Sequence, residues 1–315
     1  MRPFLPVLLV SLFSLVACAE DAPTTTPTTT EAPKSVRLLT IGNSFSHNAT
    51  RLLGDLAKSA GDTLILREAI VGGASLELHW TKAQKFETDP QDKQGRYTTG
   101  KGLREELSSG PWDVITIQQA SLLSHNVETY RPFAGQLVDT FRKYSPSATV
   151  MIHQTWAYRS DSPRFDAAHA KLGDPVSQRE MYDGLAASYK TIASELGIRR
   201  IPVGDAFFLA DTDAIWGYRK DAAFDFLAAK PPVLPAQTHS LHVGWEWKRQ
   251  SAERWKLVLD ANHASLAGEY LGACVWYEVL FDKPCAGTTF VPKGLDSDYA
   301  KFLRETAHAA VDAAK

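Results

Sequence analysis

The sequence predicts a three-layer α/β domain, with a parallel sheet covered by helices on both faces. The main observation is a repeated alternation from residue 36 onward: short apolar runs of strand length are followed by amphipathic segments of helical period. A second is that the apolar runs are buried-strand stretches, such as Val114-Ile115-Thr116-Ile117, with no polar face. A third is that each run ends in glycine or polar residues, the way a strand leaves a sheet for a loop. Alternating strands and helices are the pattern of a parallel sheet.

In chain order, 36–41 reads as a first strand and 50–59 as a helix with Leu52, Leu53, Leu56 and Ala57 on one face. A second strand over 63–70 stops at Gly72-Gly73. Residues 102–108 are helical, 112–117 are a third strand, and 133–144 a helix. A fourth strand over 148–153 leads to a long helix over 179–196, which Gly197 stops. A fifth strand runs over 198–203, an apolar helix over 266–280 and an amphipathic one over 298–314. No internal repeat and no second linker interrupts this.

The N-terminal residues read differently. Arg2 precedes an apolar run from Phe4 to Val16, too short to span a bilayer and placed like the core of a secretory signal. It ends in Leu15-Val16-Ala17-Cys18, which resembles the bacterial lipobox. Residues 1–17 are thus expected to be a lipoprotein signal peptide, with Cys18 lipidated and tethering an exported chain to a membrane on the periplasmic or cell-surface side. Residues 18–35 are Thr/Pro-rich, without the apolar side chains a core needs, and form a spacer. A folded domain over 36–285 and an extension over 286–315, whose helix packs back on it, complete the division. An exported chain permits a Cys274–Cys285 disulfide, and two unpaired thiols are the other possibility.

A formal net charge of -2 gives no sign of a nucleic-acid partner held by bulk electrostatics. Phosphate-cradling glycine loops are absent, so no nucleotide cofactor is expected, nor any other. His239 and His242 have loose metal-ligand spacing, but no carboxylate or Cys partner stands out; a loop pair of histidines is expected, and no metal.

In open α/β sheets ligands bind beyond the carboxyl ends of the strands. The residues there are Gly42-Asn43-Ser44, Gly72-Gly73, Gln118-Gln119, His153-Gln154 and Gly204-Asp205. Ser44, at a strand-to-helix turn, fits a nucleophile whose own N–H faces an oxyanion, and it fits a helix cap equally well. Asp260 and His263 have the spacing of an orienting carboxylate and a general base, or of a helix cap and a surface histidine. Gly73 suits a backbone oxyanion donor or an ordinary turn. Gln118 and Gln119 end an apolar strand, where a buried amide needs a partner. His153 and Trp156 are candidates for the substrate pocket, or for a packed loop. Asp205 could brace the histidine loop or cap a helix. Ser46 and His47 lie past the turn and are given no catalytic part.

Taken in order, the phrases IGNSFS, VGGASLELH, DVITIQQAS, HQTWAY, IPVGDAF and GEYLGACVWYEVL, with D-x-x-H before the last of them, resemble a bacterial branch of the SGNH hydrolases, also called GDSL-type esterases. The resemblance covers about residues 36–283. It implies a flavodoxin-like fold with a five-stranded parallel sheet and a catalytic triad of Ser44, His263 and Asp260. It also implies an oxyanion hole built from Ser44, Gly73 and an amide. The third block departs from the family, which usually carries G-x-N-D where this chain has Gln118-Gln119-Ala120-Ser121. The amide role goes to Gln119, with Gln118 as its rival. The implied activity is removal of acyl groups, acetyl among them, from a carbohydrate or related small ester. A surface lipoprotein that binds glycans without turnover is the alternative.

Overall fold

The computed structural model describes residue 1 and residues 32–315. The signal peptide of 1–17, Cys18 and nearly all of the 18–35 spacer lie outside the described residues. Strand β1 (Ser35–Gly42) is followed by helices α1 (Ser44–Thr50) and α2 (Leu53–Ser59), then β2 (Thr63–Ile70) and α3 (Leu76–Thr88). Next come α4 (Leu103–Leu107), β3 (Val114–Ile117), α5 (Phe133–Tyr144), β4 (Thr149–His153), α6 (Ala167–Ala170) and α7 (Gln178–Leu196). The chain continues through β5 (Arg199–Ile201), α8 (Val203–Thr212), β6 (His242–Arg249), β7 (Trp255–Ala264), α9 (Leu266–Phe281) and α10 (Ser297–Ala313).

β1 to β5 form one sheet in the order β2-β1-β3-β4-β5 with every pairing parallel, the flavodoxin-like order. Val36, Leu38, Leu39, Ile41 and all of β3 are buried, because helices cover both faces. α3, α5 and α7 pack in a row on one side; α1, α2 and α9 pack on the other. The register pairs Gly42 with Ile70, Ile41 with Ile117, Ile117 with Ile152 and His153 with Ile201. The strands therefore end level, and the loops after them leave one edge.

The apolar helix foreseen over 266–280 is α9. Its residues from Ala267 to Phe281 are all buried, as expected of a helix without a polar face. α10 packs on α9 and α8, and residues 33–315 form one compact unit. Cys274 and Cys285 are buried free thiols.

Three local differences stand out. The helix expected over 50–59 starts at Leu53 as α2, after a separate helix α1 that begins at Ser44 and ends at Thr50. The fifth strand is cut to three residues, since Pro202 has no N–H for the ladder and stands just before α8; Gly204 and Asp205 sit in that helix rather than in a loop. The hairpin β6–β7 was not foreseen: its strands pair antiparallel, apart from the five-stranded sheet.

Candidate active site

The turn after β1 settles what Ser44 does locally. Asn43, not Ser44, is the helix cap: its Oδ1 accepts the Phe45 N–H at 3.0 Å. Ser44 is the first helical residue, where a backbone N–H has no helical partner. Its hydroxyl lies 3.0 Å from Nε2 of His263. Asn43 is itself held from two sides, donating Nδ2 to the Ala74 carbonyl at 3.0 Å and accepting Gln118 Nε2 at 2.6 Å. Gly42 is needed for this closeness, because a Cβ there would collide with Ser46 Oγ and stand 2.8 Å from Gln118 Oε1.

Asp260 and His263 lie in β7. On a regular strand, residues three apart point to opposite faces and stand roughly 10 Å apart. Here the ladder slips: His242 pairs with Ala264 while Gly244 pairs with Asp260, so β7 carries extra residues against β6. This bulge bends the strand and re-aims its side chains. Oδ1 of Asp260 accepts the backbone N–H groups of His263 at 3.0 Å and Asn262 at 3.3 Å, and Oδ2 lies 2.9 Å from His263 Nδ1. A carboxylate can only accept, so Nδ1 carries the proton and the Nε2 lone pair faces the Ser44 hydroxyl.

The charges follow this geometry. Burial works against the Asp260 carboxylate, but the bonds from the His263 ring and backbone outweigh it and hold its pKa down to about 2. The hydrogen bond to Asp260 raises the pKa of His263 above its ordinary value, against the opposing effects of burial and Lys248. The His263 side chain is 38% exposed, so the dyad opens to solvent.

Gly73 is exposed at the third position of the turn from Val71 to Ala74, with φ of 67°, a conformation that favours glycine. Its N–H and that of Ser44 have no acceptor among the described residues.

The glutamine assignment is corrected. Gln119 is fully buried, and its Oε1 accepts the N–H groups of Leu76 at 3.1 Å and Ala120 at 2.8 Å. Its Nε2 donates to the Thr129 carbonyl at 2.8 Å and hydroxyl at 3.2 Å. This amide ties two site loops together and has no free face for an oxyanion. Gln118 is also fully buried; besides holding Asn43, its Oε1 accepts from Ser46 Oγ and His153 Nδ1. Gln118 thus frames the turn after β1, and Gln119 joins the loops after β2 and β3 beside it.

His153 and Trp156 do not line an open pocket either, since both are completely buried. The His153 ring sits edge-on to Trp276 with centroids 5.1 Å apart, and burial lowers its pKa to about 3, so it is neutral. Trp156 stacks on Phe207 and donates its indole N–H to the Asn262 carbonyl at 2.8 Å. Asp205 does not touch the histidine loop; it binds Arg200, Gln154 and Tyr182. His242 is not a loop residue but a buried one in β6, donating to the Ala157 carbonyl at 3.0 Å. Among the described residues no cluster of His, Cys, Asp and Glu could hold a metal.

Sequence reasoning missed His79 in α3. It is buried and bridges the Tyr97 hydroxyl at 3.0 Å and the Gly42 carbonyl at 3.1 Å, fixing the end of β1. Its signal was the spacing of Leu76, His79, Ala83 and Phe86, one buried face of a helix.

A family model described as a domain of unknown function, DUF4886, matches residues 37–225. The chain belongs to the DUF4886 family. The matched region contains Ser44, Gly73 and both glutamines and stops before the hairpin that carries Asp260 and His263. A crystal structure of a DUF4886 family protein from Bacteroides uniformis is similar at 27% identity, covering 88% of this chain and 95% of that one, with a TM-score of 0.66. A proposed SGNH hydrolase from Slackia heliotrinireducens is similar at 22% identity, covering 78% of this chain and 98% of that one, with a TM-score of 0.46. A proposed GDSL-like lipase from Parabacteroides merdae shares 14% identity over 80% of this chain and 98% of that one, with a TM-score of 0.44. No curated protein matches the sequence.

Proposed function

We propose that this DUF4886 protein is a serine ester hydrolase that removes acyl groups, acetyl foremost, from a carbohydrate or related small ester. The observation that carries this reading is the relay from Ser44 Oγ to His263 Nε2 at 3.0 Å and from His263 Nδ1 to Asp260 at 2.9 Å. In the proposed mechanism His263 takes the Ser44 proton as Oγ attacks the acyl carbonyl. Asp260 holds the imidazole in the required tautomer and stabilises the imidazolium. The unpartnered N–H groups of Ser44 and Gly73 would receive the oxyanion. His263 then protonates the leaving alcohol, and water, activated by the same residue, frees the acid and Ser44. The exposure of His263 suits a small acyl group on a bulky alcohol such as a glycan.

Export and lipid attachment at Cys18 belong to the same proposal and rest on the sequence of the leader. Among the described residues no helix is long and apolar enough to cross a membrane. A Cys18→Ser variant should keep its activity and leave the membrane fraction; retention there would count against lipidation.

A second reading, a lipoprotein that binds glycans without turnover, is favoured by the commitment of both glutamine amides to framework bonds. The two separate on one experiment. A hydrolase releases nitrophenol from p-nitrophenyl acetate and is labelled at Ser44 by a fluorophosphonate, and Ser44→Ala loses both. A wild-type protein that neither turns over acyl esters nor takes the label refutes the hydrolase.

A further inference from the structure

The bulge in β7 that brings Asp260 to His263 leaves the ladder between its Gly244–Asp260 and His242–Ala264 pairs. Carbonyls in that stretch need other donors. Both donors come from the segment after β4. The Arg159 backbone N–H reaches the Ala261 carbonyl at 2.9 Å, and the Trp156 indole N–H reaches the Asn262 carbonyl at 2.8 Å. The Asn262 carbonyl belongs to the peptide whose N–H is His263's own. On its other side the indole lies 4.4 Å from the ring of Phe45, the residue next to Ser44, and stacks on Phe207 at 4.4 Å and 10°. One buried side chain thus touches the base-bearing bulge and the nucleophile-bearing helix.

We propose that Trp156 is a positioning residue of this site: its indole fixes the bulge of β7 against the start of α1 and thereby sets the Ser44–His263 hydrogen bond. The inference rests on the hydrolase reading for its catalytic consequence, but the geometry it asserts can be measured without turnover. α1 and β7 are joined directly by one bond, from the Ala264 N–H to Asn48 Oδ1 at 3.3 Å, one turn of α1 beyond Ser44, and neither strand ladder nor helix hydrogen bond fixes the distance between Oγ and Nε2. A displacement of about 1 Å there can cost about 100-fold in rate.

Trp156→Phe keeps most of the ring packing and removes the donor. For p-nitrophenyl acetate, kcat should fall by ~10- to ~100-fold with KM changed less than about twofold. The His263 midpoint, followed by NMR titration of the imidazole, should fall toward the ordinary histidine value as its contact with Asp260 loosens. Phe141→Leu, a core substitution in α5, serves as a destabilised control and should lower Tm while leaving the His263 midpoint in place. In the unsubstituted protein, the Trp156 indole N–H cross-peak should move with the His263 titration, which needs no variant to fold. An unchanged His263 midpoint in Trp156→Phe, or an indole peak blind to His263, overturns the proposal. Wild-type protein without turnover or fluorophosphonate labelling would refute the hydrolase and leave these two NMR readouts to decide the positioning role.

Discussion

Replacing Asp260 by Asn tests the relay with the least disturbance. The amide oxygen can still accept the backbone N–H groups of His263 and Asn262, the two bonds Oδ1 makes now, so the bulge should persist. The amide nitrogen then faces Nδ1 in place of an oxygen 2.9 Å away. An N–H donor there requires Nδ1 to accept, so the proton moves to Nε2, which confronts the Ser44 hydroxyl with a donor. The base is present but in the wrong tautomer. In the serine-protease precedent that change costs about 10⁴-fold in kcat, equivalent to about 5 kcal/mol of transition-state stabilisation. The assay is initial-rate hydrolysis of p-nitrophenyl acetate with Tm measured in parallel. A loss below tenfold in a folded Asp260→Asn protein would show that Asp260 does not set the tautomer and would refute the triad.

Further predictions follow from the same geometry. The proposed hydrolysis needs neutral His263, whose pKa is raised by Asp260, so kcat/KM should fall on the acid side with a midpoint above the ordinary histidine value of about 6.5; a midpoint below that value contradicts the pairing. The stabilising contribution of charged His263 should be fully present below about 6.5 and lost as pH rises through its raised pKa, which thermal unfolding against pH can follow. Gly42→Ala should cost about 1–3 kcal/mol, seen as a lower Tm, because its Cβ has no room beside Ser46 and Gln118. Cys274 and Cys285, buried and unpaired, should resist maleimide in the native protein and react in denaturant; a disulfide found by peptide mapping would contradict this.

Much of the fold was legible because its cause is local. Strand 63–70 and helix 133–144 begin and end where the periodicity of the sequence says they should. The strand ends told where to look for a site; Ser44 and Gly73 were legible as residue types at turns, and Asp260 and His263 by their spacing before the last apolar helix. The glutamines misled because a side-chain amide at a strand end has the same sequence signature whether it faces a substrate or a loop backbone. Gln119 faces Leu76, Ala120 and Thr129, and only the packing of the loops after β2 and β3 shows that. Trp156 misled in the same way, since an aromatic after a strand can line a pocket or fill the space beneath a loop.

By itself the sequence determined the alternation of strands and helices, and hence a parallel sheet, because apolar period and turn chemistry act over a few residues. It also determined which side chains with useful chemistry stand at the strand ends. Only the tertiary structure decided which of them meet. Ser44 and His263 are 219 residues apart, and their 3.0 Å contact depends on a bulge in a hairpin outside the main sheet. Such a contact is fixed by the packing of α1 against β7, with Trp156 touching both, and no local pattern in the chain encodes a distance between segments so far apart in sequence.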